Sequence, residues 1–283
     1  MTLFEIVPNL SEGRDPAFVA GAAAVAEASG ATVLHAAADA AHHRSVLTIA
    51  GAEDAVVEAG VALAGFAAER IDLRQHRGEH PRIGALDVLP FVPLRNASLE
   101  RAAGLAHRAG AEIWRRYRIP SYYYGAAAKR EERRLLPVLR RGQFEGLDAR
   151  FADPRWAPDE GQAVKHPSAG AIAIGARDVL IAFNVELAAG DMDAAQAIAR
   201  EMRERSGGLL TVRALAFRLQ SGNVQVSFNV TNAAATPLYR IVALVTRLAE
   251  RRGIGIARGE LIGCLPQAAV ESAAAYSLGV DAC

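Results

Sequence analysis

The stretch FADPRWAPDEGQAVKHPSAG, residues 151 to 170, has no period. Glycine, proline, aspartate and single aromatics alternate so that neither a helical face nor a strand face can be drawn, and the irregularity reaches back to about Gly142. A structureless run of that length inside a compact chain is a linker, a lid or a binding loop. What decides the fold is that the same rhythm runs on both sides of it.

Upstream, Leu3 to Val7 reads as a strand ended by Pro8, and Pro16 to Ala28 as a helix closed by Gly30. Ala31 to Ala37 and Ser45 to Gly51 read as strands around the polar DAAHHR loop, Ala52 to Ile71 as an alanine-rich helix, and Ala85 to Val92 as a strand. A helix over Ser98 to Tyr117, capped by Asn96 or Ser98, a short strand SYYYG and a charged helix from near Ala126 complete this half. Downstream, Ala171 to Val185 reads as a strand and Asp191 to Arg205 as a helix. Leu209 to Leu219 and Val224 to Val230 read as paired strands, Pro237 to Arg252 as a helix and Ile254 to Leu261 as a strand. Both halves are β-α-β-β-α-β. The predicted class is α+β: two ferredoxin-like α/β sandwich subdomains, residues 1–165 and 166–283, flanking a ligand cleft.

Composition narrows the function classes. The 283 residues are 51% hydrophobic and 22% charged, enough for a core. With 32 basic and 31 acidic residues the net charge is +1, so no long-range field draws in nucleic acid or an anionic membrane. The basic stretch Arg115 to Arg141 carries Glu131 and Glu132 at helical spacing and reads as a solvated helix face. No run approaches the ~20 apolar residues of a membrane span. The N-terminus lacks a basic segment followed by an apolar one, and Cys264 and Cys283 form no CxxC pair, so a reducing cytoplasmic location is expected.

Three stretches carry chemistry. In HRGEHPRIGALDVLPFVP, residues 76 to 93, five ionisable side chains crowd ahead of an apolar strand, and Pro81 stiffens the turn after His80. An imidazole held there can take and return a proton near neutrality, with Glu79 beside it to tune or orient a partner. The alternative is a turn-capping histidine among solvated arginines. VPNLSEGRD, residues 7 to 15, offers the side-chain oxygens of Asn9, Ser11 and Glu12 with a cluster of amide N–H groups, or is a plain helix cap. DAAHHRSV, residues 39 to 46, places Asp39, His42, His43 and Arg44 before a strand. Adjacent side chains there diverge and no third ligand is suitably spaced, so no metal site is expected. Arg44 suits a substrate carboxylate, which a guanidinium grips by two points. GIGIARG near the C-terminus enters a strand and fails the dinucleotide-binding context.

Taken together, VPNLSEGRD, RGEHPRIGALDVLPFVP, SYYYGAAA, WAPDEG, GARDVLIAFNVEL, VQVSFNVT and GELIGCLP occur in an order that resembles the formiminotransferase domain of glutamate formiminotransferases over essentially the whole chain. The resemblance implies two α/β subdomains about a cleft. It also implies transfer of a formimino group from N-formiminoglutamate to N5 of tetrahydrofolate, the one-carbon acceptor, with release of glutamate. The family's catalytic histidine falls on His80. Its folate-binding segment falls on Gly161, Gln162, Ala163, Val164, Lys165, His166, Pro167, Ser168, Ala169 and Gly170. Glu79 and Asp39 would then face the cationic amidine, and Arg44 and Arg82 the glutamate carboxylates. The sequence departs from the family pattern at His35, Ala37, His43, Glu160 and Gln162. Two alternatives stay open: a relative that exchanges a one-carbon unit between tetrahydrofolate and a different amine, and a non-catalytic folate-binding protein. The partners implied are small molecules, with room for a homodimer.

Overall fold

The computed structural model describes residues 1–40, 42–78, 80–219 and 221–280. The chain divides into two compact units, Met1–Arg177 and Asp178–Cys283, each with its own apolar core.

The first unit runs β1 (Leu3–Ile6), β2 (Asn9–Leu10), α1 (Pro16–Ala28), β3 (Thr32–Asp39), β4 (Arg44–Gly51), α2 (Glu53–Arg70), β5 (Leu86–Arg95), α3 (Leu99–Tyr117), β6 (Ser121–Gly125), α4 (Leu136–Leu139), α5 (Leu147–Phe151) and β7 (Ile172–Ala176). Its seven strands form one sheet. β3 pairs β4, β4 pairs β1 and β2, and these pair β5, all antiparallel; β7 and then β6 extend the sheet in parallel. The strand order of the first β-α-β-β-α-β is that of a ferredoxin-like sandwich. The central strand β5 is buried from Leu86 to Val92, because helices α2 and α3 pack on the sheet it centres.

The second unit runs β8 (Ile181–Leu187), α6 (Met192–Met202), β9 (Val212–Arg218), β10 (Val224–Val230), α7 (Leu238–Glu250), β11 (Ile256–Ile262) and α8 (Gln267–Leu278). The antiparallel order β11-β8-β10-β9 is again ferredoxin-like. Alternation builds it: Val224, Val226, Phe228 and Val230 point to the core while Gln225, Ser227 and Asn229 face outward.

Three expectations are corrected. Ala171 to Val185 is not one strand but β7 and β8, broken at residues 177–180, and β7 completes the first sheet. No helix starts near Ala126. A 3₁₀ turn at Glu131–Arg133 and the short α4 stand there, because Pro137 suits only a first turn. The irregular stretch contains α5 and a 3₁₀ turn at Pro154–Trp156. Helix α8 adds to the elements expected from the sequence pattern. Of the two proposed caps for α3, Ser98 is the one, its Oγ accepting from Arg101 N at 3.1 Å.

Register gathers the loops. Leu10 lies opposite Ser45 on one side and Leu86 on the other, so the turn after β2, the hairpin before β4 and the loop before β5 emerge at one end of the sheet. β7 and β6 run parallel to β5, so the segment before β7 and the end of α3 before β6 arrive at that same end.

Candidate active site

Two close approaches weld these loops. A Cβ on Gly13 would lie 2.3 Å from Asp39 O and 2.4 Å from Arg44 N. One on Gly78 would lie 2.7 Å from His42 O, so the histidine loop rests directly on the β3–β4 hairpin.

His80 is half-buried. Its Nδ1 lies 2.9 Å from Pro81 O. A carbonyl only accepts, so Nδ1 carries the proton and Nε2 keeps its lone pair. Burial, then the cations Arg44 and Arg140, push the imidazole down to about 3, against the pull of Asp87 and Pro81 O. The ring of His42 stands edge-on, 6.3 Å away between centroids. His42 is held by Asp39: the carboxylate accepts from His42 N and from His42 Nδ1, both at 2.8 Å. Asp39 thus orients His42. Glu79 lies outside the described residues.

Beneath the loop is a buried charge cluster. Asp87, fully buried, accepts from Arg44 Nη1 at 2.9 Å, Arg140 Nη2 at 2.6 Å and Ile83 N at 2.8 Å. Burial alone would raise its carboxyl; Arg140, Arg44 and the Ile83 amide outweigh this and hold it at about 2. Burial lowers Arg44 to about 10, still charged, with Asp87 opposing. The rest of the Arg44 fork goes to Asn9 Oδ1, at 3.0 and 2.8 Å, while Asn9 Nδ2 donates to Val7 O. Ser11 Oγ donates to Gly84 O, and Glu12 accepts from Arg14 N and Asp15 N. Asn9, Ser11 and Arg44 therefore build the floor of the site.

A second chain of contacts fixes the loop's start. Arg82 Nε donates to His76 Nδ1 at 3.1 Å, so His76 carries its proton on Nε2, which donates to His43 O at 3.2 Å. The rings of His43 and His76 stack 4.4 Å apart. His43 has φ 49°, a left-handed conformation to which Asn and His are better suited than most non-glycine residues, and its Nδ1 accepts from Gly13 N. Burial lowers the pKa of both rings.

The segment Gly161–Gly170 lines a cavity of about 720 Å³. Gln162, Val164, Lys165, His166 and Pro167 face Trp114, Tyr117 and Arg118 from the end of α3. Gly161 approaches the Trp114 ring too closely for a Cβ. Lys165 pairs with Asp148 at 2.7 Å. Ser168, Ala169 and Gly170 are tied to the histidine loop by Leu73 N to Ser168 O, Ala85 N to Ala169 O and a bridge from Gly84 to Gly170. Of the departures, His35 lies on β3, Glu160 is within 3.4 Å of the Tyr123 hydroxyl and Gln162 lines the cavity.

Sequence reasoning missed Asp87, Arg140 and Glu145. A carboxylate inside the apolar strand LDVLPFVP was the signal for Asp87, since buried acids occur where they are paired.

A two-unit α+β protein with a histidine poised over buried arginines is the class that fold and site define. Residues 3–177 match the model of the formiminotransferase domain, N-terminal subdomain, and residues 182–281 that of the formiminotransferase domain. The chain belongs to this formiminotransferase family. It is 38% identical over 281 residues to the glutamate formimidoyltransferase of Streptococcus pyogenes serotype M1, covering 99% of this chain and 94% of that protein. It is 41% identical over 285 residues to the glutamate formimidoyltransferase of Thermoplasma acidophilum, with the same coverage. The formimidoyltransferase-cyclodeaminase of Gallus gallus is 38% identical over 97% of this chain and 52% of its own length. No helix among the described residues is long and apolar enough to cross a membrane.

Proposed function

We propose that this protein transfers the formimino group of N-formiminoglutamate to N5 of tetrahydrofolate and releases L-glutamate, with His80 as the acid–base. Family membership over both units is the observation that carries this reading. The Nε2 of His80, left with its lone pair because Nδ1 donates to Pro81 O, supports the assignment of the base. It accepts the proton that N5 sheds as the N5–carbon bond forms at the amidine. It returns that proton to the glutamate nitrogen as the old carbon–nitrogen bond breaks. Proton number balances, and the ring ends as it began.

The acceptor fits the cavity beside the loop. The rings of Trp114 and Tyr117, the amide of Gln162 and the cation of Arg118 offer stacking to the pyrimidinone or p-aminobenzoyl ring, hydrogen bonding and charge to a reduced folate, in a volume usual for such ligands. Asp39 acts on this reading through His42, and Arg82 holds the loop. The absence of a CxxC pair in the sequence suits the cytoplasm, and the net charge of +1 suits small-molecule partners over nucleic acid. Incubation with N-formiminoglutamate and tetrahydrofolate should release glutamate one-for-one with folate consumed. No release above background overturns the proposal.

A further inference from the structure

Two guanidinium groups share one carboxylate beneath His80. Arg44 is engaged on all three nitrogens, by Asp87 and Asn9. Arg140 is not. Its Nη2 donates to Asp87, its Nε is buried with no hydrogen-bond partner, and its Nη1 meets no acceptor among the described residues, while 15% of the side chain reaches solvent. Buried cations and buried donors are normally compensated, so an uncompensated pair at the mouth of a site marks where a ligand supplies the missing anion.

We propose that Arg140 is a substrate-binding residue, tethered by Asp87 so that its open nitrogen receives a carboxylate of the amino-acid donor beside His80. The inference rests on the proposed reaction, whose donor is a dicarboxylate. It also gives the charges around His80 a purpose. Arg44 from β4, Arg140 from the segment after α4 and Asp87 from β5 all act on the imidazole through their charge, and the His42 ring from the hairpin stands edge-on to it. A carboxylate seated on Arg140 cancels one of the two cations that keep the ring from holding a proton. The base therefore strengthens when the donor is in place.

The test is a substrate–enzyme cycle with Arg140→Gln and Arg140→Lys. Arg140→Gln should raise KM for N-formiminoglutamate by about 10- to 100-fold, the range for a lost charged hydrogen bond, with KM for tetrahydrofolate unchanged. Arg140→Lys should restore part of the loss. N-formimino derivatives of 4-aminobutyrate and 2-aminobutyrate each lack one carboxylate of the donor, and the Arg140→Gln penalty should vanish for one of them. An unchanged donor KM, or an equal penalty on both analogues and on tetrahydrofolate, overturns the proposal. Calorimetric titration of the full chain with glutamate separates the two readings. Binding that Arg140→Gln abolishes supports the anchor even if wild type transfers no formimino group; binding that survives refutes it. Should Arg140→Gln fail to fold, Arg140→Lys, which keeps the charge and loses the fork, is carried through the same cycle, and an unchanged donor KM there refutes the anchor.

Discussion

Arg82 grips both oxygens of Glu145, at 2.8 and 2.7 Å, while its Nε donates to His76 at 3.1 Å. One side chain thus joins the irregular segment, through Glu145, to the histidine loop. The hydrogen bonds from Arg82 lead in holding the Glu145 carboxyl at about 2. A depressed carboxyl stabilises the fold above its unfolded pKa, near 4.3, and that contribution is lost as pH falls toward 2. Glu145 is exposed, so Glu145→Gln should cost only about 1 kcal/mol at pH 7. Urea midpoints of variant and wild type should converge between pH 4.5 and 2.5.

Asp87 is a different case, because among the described residues no other carboxylate pairs with Arg44. Asp87→Asn keeps the shape and removes the charge, leaving two cations out of water. Breaking a buried pair in this way costs about 3–5 kcal/mol. Chemical denaturation should show that loss, and a drop below about 1 kcal/mol would contradict the arrangement.

His80→Ala should fold normally, since among the described residues the ring's one hydrogen bond is to its neighbour's carbonyl. Turnover should fall about 10²–10⁴-fold, the usual worth of a positioned acid–base. Unchanged kcat would show that another group moves the proton.

Acid should destabilise the first unit earlier than its carboxylates require. Burial leads in lowering His43, His76, His80 and His166, so the folded state refuses protons that the unfolded chain accepts near pH 6.5. Their contribution is complete above that pH and is lost as pH falls below it, by up to 1.36 kcal/mol per pH unit for each excluded proton. Urea midpoints at pH 7.5, 6.0 and 5.0 should fall steadily, less so in His80→Ala. A flat series would refute the neutral histidine cluster.

The repeat was legible because strand alternation and helical spacing are local. Val224 to Val230 and Pro16 to Ala28 declare their faces within one element. The crowd of charges around His80 was legible too, since it is contiguous in the chain. Arg140 was not, because a stretch of mixed charge reads as a solvated helix until one sees what opposes it, and Glu145 lies in the run without a period after Gly142, which declares no face. Likewise Asn9, Ser11 and Arg44 offer groups a ligand could use, and the sequence has no means of saying that Asp87 and Gly84 use them first.

From its sequence alone this chain reads as two β-α-β-β-α-β repeats, an irregular segment and a histidine loop ahead of a buried strand. Only the tertiary structure assigns β7 to the first sheet and makes Asp87 the shared counter-charge of Arg44 and Arg140. The division follows from range. Periodicity is set by neighbours a few residues apart, whereas the pairing of Asp87 with residues 43 and 53 positions away exists only once the sheet has brought their loops to one end.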